Sequence, residues 1–162
     1  MIQMEYKKCT GCSACMNICP VSAIKMVEND EGFLYPQVDD KKCIKCGKCL
    51  QGCPIGKTDK LLQNQSRKYF AANRKDKIER LKSSSGGLAA LIAEYIISQQ
   101  GYFCGASFVE GKLQHRIISN MKDFIPMQGS KYFQSEIGNV YKNVKKLLDE
   151  GKLVAFLGKI GR

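Results

Sequence analysis

Long apolar runs are missing from this chain. The longest, Leu88 to Ile97, contains Glu94 and falls well short of the roughly 20 residues that a membrane-spanning helix needs. No apolar stretch precedes Cys9, so no secretory signal is read there. These two absences exclude a membrane span and predict a soluble protein of a reducing cytoplasm, where disulfides are rare. Tryptophan is absent. No aromatic and basic residues interleave as an RNA-binding sheet would require, which argues against a nucleic-acid partner. Histidine occurs once, as His115 beside Arg116, and reads as a surface residue rather than a catalytic one. Acidic residues are scarce: 15 Asp and Glu face 26 Lys and Arg, for a net charge of +11.

That charge is unevenly spread. Residues 1–56 hold seven Lys against six Asp/Glu, whereas residues 57–162 hold nineteen Lys/Arg against nine. Such asymmetry steers partners or anionic ligands without choosing between them.

Cysteine is what the chain has in excess. There are nine, and eight lie between Cys9 and Cys53. Cys9, Cys12, Cys15 and Cys19 recur 34 residues later as Cys43, Cys46, Cys49 and Cys53, and Pro20 recurs as Pro54. The pattern C-x2-C-x2-C-x3-C-P is therefore present twice. Three cysteines at i, i+3 and i+6 wrap a tight loop around one [4Fe–4S] cluster. In two-cluster ferredoxins the cysteine before the proline ligates the other cluster. The spacing thus predicts one cluster on Cys9, Cys12, Cys15 and Cys53 and a second on Cys43, Cys46, Cys49 and Cys19. Zinc knuckles use pairs of CxxC rather than this triple, and disulfides fit neither the close spacing nor the compartment. The ninth cysteine, Cys104, sits in an apolar strand with no basic neighbour and reads as a buried, inert thiol.

Between the motifs, Ala23–Val27 and Phe33–Tyr35 flank a polar turn and predict a hairpin, with Pro36 and Asp39-Asp40 leading into the second motif. Residues 57–82 are polar and basic and read as a connector, partly helical, most often a solvated surface. Ser83-Ser84-Ser85-Gly86-Gly87 then opens a helix. Its spacing predicts Leu88, Leu91, Ile92, Tyr95 and Ile96 as the buried face. The residues alone favour a plain hydroxyl cap; the alternative is an anion cradle of backbone N–H groups. Tyr102–Val109 and Leu113–Ser119 read as strands around a turn at Glu110-Gly111-Lys112. A second helix is expected from near Glu136, with Ile137, Val140, Tyr141, Val144, Leu147 and Leu148 on its face and Gly151 as its stop. Leu153–Leu157 reads as a buried strand, completing a parallel crossover.

Three segments in order resemble the coenzyme F-420 hydrogenase/dehydrogenase beta-subunit family: the two cysteine motifs, then Arg80-Leu81-Lys82-Ser83-Ser84-Ser85-Gly86-Gly87, then Gly129-Ser130-Lys131-Tyr132-Phe133-Gln134-Ser135. The resemblance implies an iron–sulfur flavoprotein that binds FAD or a related flavin. Its partners would be a redox protein or a flavin or deazaflavin electron acceptor. By motif match, Ser85, Gly86, Gly87 and Lys131 would face the flavin. Family members usually continue after the last strand with Ser-Gly-Thr-Pro-Cys-Gln, whereas here Gly158-Lys159-Ile160-Gly161-Arg162 follows. The expected fold is α+β: a bacterial-type dicluster ferredoxin domain over 1–56 (motifs about 1–29 and 34–56), a basic connector over 57–82, and an incomplete α/β flavin domain over 83–162. The expected function is the electron-transfer part of a flavin-dependent oxidoreductase that holds its clusters but little flavin. The alternatives are a ferredoxin-like carrier or interaction module without catalysis, and a non-functional truncation product.

Overall fold

The computed structural model describes residues 8–55 and 68–158. The chain forms two compact units that divide between Lys68 and Tyr69. Residues 57–67 of the basic connector lie outside the described residues.

In the first unit the 34-residue repeat is a repeat of backbone. Helix α1 (Ala14–Ile18) carries Cys15, the third cysteine of the first motif, and α2 (Lys48–Gln51) carries Cys49, the third of the second. Both loops turn through left-handed residues at matching places: Gly11 (φ 65°) matches Lys45 (φ 55°), and Ser13 (φ 61°) matches Gly47 (φ 72°). Each motif spends its glycine at a different one of the two positions and forces an ordinary side chain into the other, a conformation that L-residues avoid. Between the motifs, β1 (Ile24–Glu28) and β2 (Leu34–Val38) pair antiparallel, Ile24 opposite Val38 and Glu28 opposite Leu34. This is the expected hairpin, with Pro36 inside β2 opposite Met26. Its turn is closed by the Asn29 side chain, which accepts from the amides of Glu31 (3.2 Å) and Phe33 (2.8 Å).

The second unit begins with α3 (Lys77–Leu81), capped by Asp76, whose carboxylate accepts from the Ile78 and Glu79 amides. Helix α4 (Leu88–Ser98) and strands β3 (Tyr102–Val109) and β4 (Lys112–Ile118) follow. A 3-10 turn (Ile125–Met127), α5 (Val140–Asp149) and β5 (Val154–Phe156) complete it. The sheet order is β4-β3-β5, with β4 antiparallel and β5 parallel to β3. The predicted crossover is present. One core joins Ala90, Ala93, Phe103, Ile118, Phe124 and Met127. The other joins Cys104, Ile137 and Val140 with Ile117, Tyr141 and Val144.

Three expectations for this unit are corrected. Helix α4 buries Ala90, Ala93 and Ile96; Leu88, Leu91, Ile92 and Tyr95 stay exposed, Tyr95 at 64%. Small side chains let a helix approach a sheet closely, and here that approach outweighs the bulk of the leucine stripe. The serines do not cap α4: the capping position is Gly87 (φ 75°), which makes no side-chain cap bond. Gly87 cannot be replaced freely, because its conformation is left-handed and a Cβ would press on Arg74. Finally, β5 is not a buried strand. It lies at the end of the sheet order, and Leu153, Phe156 and Leu157 are exposed.

Candidate functional site

None of the eight motif cysteines is joined in a disulfide. The electrostatics of three of them show which sulfurs lie together. Burial pushes the Cys9 thiol up; its like-charged neighbours are Cys12 and Cys53, while the Gly11 amide pulls the other way. Burial pushes Cys15 up to about 11, with Cys12 and Cys9 as neighbours. Burial also raises Cys49, whose neighbours are Cys46 and Cys19. Cys53, the last cysteine of the second motif, therefore lies within electrostatic reach of Cys9, and Cys19, the last of the first, within reach of Cys49. Backbone amides repeat this symmetry: those of Cys15 and Met16 serve Cys15, and those of Cys49 and Leu50 serve Cys49. Amide clusters around left-handed residues are the nests that iron–sulfur sites use.

Around the second motif these residues enclose a cavity of about 200 Å³ lined by Cys19, Cys43, Cys46 and Cys49. Among the described residues no three His, Cys, Asp or Glu side chains gather around one metal position. Four sulfurs and one carboxylate, Asp40, line this hollow, and the thiolate form of Cys49 is opposed by burial and by neighbouring thiols. A polynuclear cation fits both features: it fills the hollow and supplies the positive charge that thiolates need.

Residues 8–57 match a 4Fe-4S dicluster domain. A second 4Fe-4S dicluster domain model matches residues 35–85. No curated protein matches the chain. The α+β fold with a dicluster ferredoxin domain at its N-terminus is as the sequence predicted, and the role to which these matches point is iron–sulfur electron transfer. Among the described residues no helix is long and apolar enough to cross a membrane.

The second unit holds a separate cavity of about 560 Å³. Ser85, Gly86, Gly87 and Lys131, which the family resemblance points to, all line it. The two loops meet directly: the hydroxyls of Ser84 and Ser130 lie 2.8 Å apart, 46 residues apart in sequence. Gly86 is held by its carbonyl, which accepts from the Arg74 amide at 2.7 Å, and Arg74 is itself fixed by Glu94 at 2.7 Å. The Lys131 amine donates to the carbonyls of Met127, Gln128 and Gly129 at 3.3, 2.6 and 3.1 Å, so its three N–H groups close the loop on itself. Partial burial lowers its pKa.

His115 also lines this cavity, which corrects its reading as a surface residue. Its ring stacks on Phe156 with centroids 5.4 Å apart, and Nδ1 lies 2.7 Å from the Ser135 hydroxyl. Nε2 is buried without a partner of good geometry, although the Leu157 backbone is close enough to oppose in part the lowering of its pKa by burial. The signal was in the strand alternation: Leu113, His115 and Ile117 share one face of β4. Cys104 is fully buried, and burial pushes its thiol up to about 12. It is a core residue, packed with Ile137 and Val140.

Proposed function

We propose that the chain is the iron–sulfur electron-transfer part of a flavin-dependent oxidoreductase. Cys9, Cys12, Cys15 and Cys53 would hold one [4Fe–4S] cluster, and Cys43, Cys46, Cys49 and Cys19 the second. The observation that carries this is the exchange of the fourth cysteine: Cys53 beside Cys9, and Cys19 beside Cys49. When bound, the clusters supply one-electron transfer and a flavin supplies the coupling to two-electron substrates. The chain's own residues would set up both sites. The left-handed loops aim amides at the sulfurs, and burial of Cys15 and Cys49 keeps water from them.

For the flavin, the support is the cavity that joins the two family-like loops, with its size inside the ordinary range for ligand pockets of about 300–1,000 Å³. Ser85, Gly86 and Gly87 would offer N–H groups at the start of α4, whose dipole favours an anionic group. Lys131 would serve by shaping the loop, because its donors are engaged by carbonyls. That engagement is also what favours the second reading, a ferredoxin-like carrier without catalysis.

Metal and flavin analysis of anaerobically purified protein separates the readings. About eight iron and about eight acid-labile sulfides per chain are expected from two cubanes. Zinc with no visible absorption would sink the cluster assignment. With iron present, saturable binding of added FAD or FMN supports the oxidoreductase reading, and its absence leaves the carrier.

A further inference from the structure

The two motifs share a backbone but not a surface. In the first, Gly11, Ser13 and Cys15 are buried and Cys12 and Ala14 are half-buried; no position from Cys9 to Cys15 is charged. In the second, the matching positions are Lys45, Cys46, Gly47 and Lys48, and of these Lys45, Cys46 and Lys48 are exposed. Lys41 and Lys42, just before the motif, are exposed as well. Among the described residues Lys42 pairs with Asp39 at 3.8 Å, and Asp40 lines the same cavity as Lys45 and Lys48, so four lysines face two carboxylates on this stretch. Beside these cations lie two uncovered apolar side chains, Ile44 at 60% and Leu50 at 48% exposure. Both line the cavity that Cys19, Cys43, Cys46 and Cys49 surround, as do Lys45 and Lys48.

An apolar centre within a charged rim is the anatomy of a protein interface. Here it surrounds the one motif cysteine that is exposed, Cys46. We infer that the second motif is the docking face for an acidic electron-carrier protein, whose carboxylates meet Lys41, Lys42, Lys45 and Lys48 while its apolar surface covers Ile44 and Leu50. The inference rests on the cluster reading above and adds to it which end of the domain is the door. The pseudo-symmetry is the reason to see a function in these lysines. The argument holds for Lys45 and Lys48, which match Gly11 and Ala14, whereas Lys41 and Lys42 have counterparts in Lys7 and Lys8. The three-cysteine loop of the first motif is built without charge, so the fold does not require the loop lysines, and Lys45 occupies a left-handed position that Gly11 fills without strain in the first copy.

The test uses the full iron-loaded chain with an acidic flavodoxin as the probe. Zero-length carbodiimide coupling, which joins a lysine amine to a carboxylate, should place the adduct on the lysines from Lys41 to Lys48. The K45E/K48E variant should lower the association rate by about tenfold or more at low ionic strength, because rim charges act mainly on encounter. K112E/K122E, an equal charge change at exposed lysines of the second unit, should leave it within about twofold on the same grounds. The contrast should vanish as salt is raised from about 0.01 M to about 1 M, where the screening length falls from about 30 to about 3 Å. If K45E/K48E loses iron, K41E/K42E, outside the three-cysteine loop, makes the same comparison. Equal loss in the control variant, adducts confined to the second unit, or adducts only between copies of this chain would overturn the inference. An unmutated protein without iron would instead sink the cluster reading.

Discussion

The two units hold themselves together by different means. In residues 8–55 the buried set is small: Cys15, Cys49, Ala23 and Ile24, with Gly11, Ser13, Asn17 and Pro36. The cluster of buried apolar contacts there is Cys15, Ile24 and Cys49. In residues 68–158 the core is aromatic and aliphatic, with Phe103 packed edge-on against Phe124 at 5.5 Å. A segment the size of the first unit is too small to close a sufficient apolar core, and metals commonly make up the difference. The second unit has no such need. One region is organised by ligation and the other by packing, although both are α+β in outline.

The largest expected effect follows from that contrast. Chelation of iron under anaerobic conditions should unfold residues 8–55 and leave the second unit folded, since metal binding in small domains is itself folding free energy. Hydrogen exchange resolved by segment measures this: amides of β1, β2, α1 and α2 should lose protection while those of β3, β4 and α4 keep it. Joint unfolding of both units would break the comparison. The reciprocal change is smaller. Phe103→Ala should destabilise the second unit by about 3–5 kcal/mol and leave the iron content unchanged, as read by denaturant melts alongside metal analysis. Loss of iron in that variant would mean that the units are not independently built.

The same contrast explains what was legible in the sequence. Ligation is written in spacing, and spacing survives translation into structure: the 34-residue repeat reappears as matched φ values and matched helices. Strands were equally readable where turns bound them, as at Glu110-Gly111, both left-handed. Packing is written less openly. The leucine stripe of α4 has the right period for a buried face, but hydropathy does not encode how closely a helix can approach, and Ala90 and Ala93 took that place. The three serines resembled a cap by type alone; the glycine that follows them starts the helix instead. His115 was missed because its strand neighbours were read for polarity rather than for the side of the sheet they share. The cavity depends on loops 46 residues apart meeting at Ser84 and Ser130, and no local pattern announces such a meeting.

The crossed arrangement of the fourth cysteines is the central claim, and spectra of single serine variants test it most directly. Serine ligation keeps a cluster in place while changing its resonance, so each variant marks the cluster it touches. Cys12→Ser supplies the signature of the first site and Cys46→Ser that of the second. Recorded on reduced protein, Cys53→Ser should alter the same signals as Cys12→Ser and leave those of Cys46→Ser at their unmutated positions. A Cys53→Ser spectrum that instead follows Cys46→Ser would place Cys53 with its sequence neighbours and contradict the account.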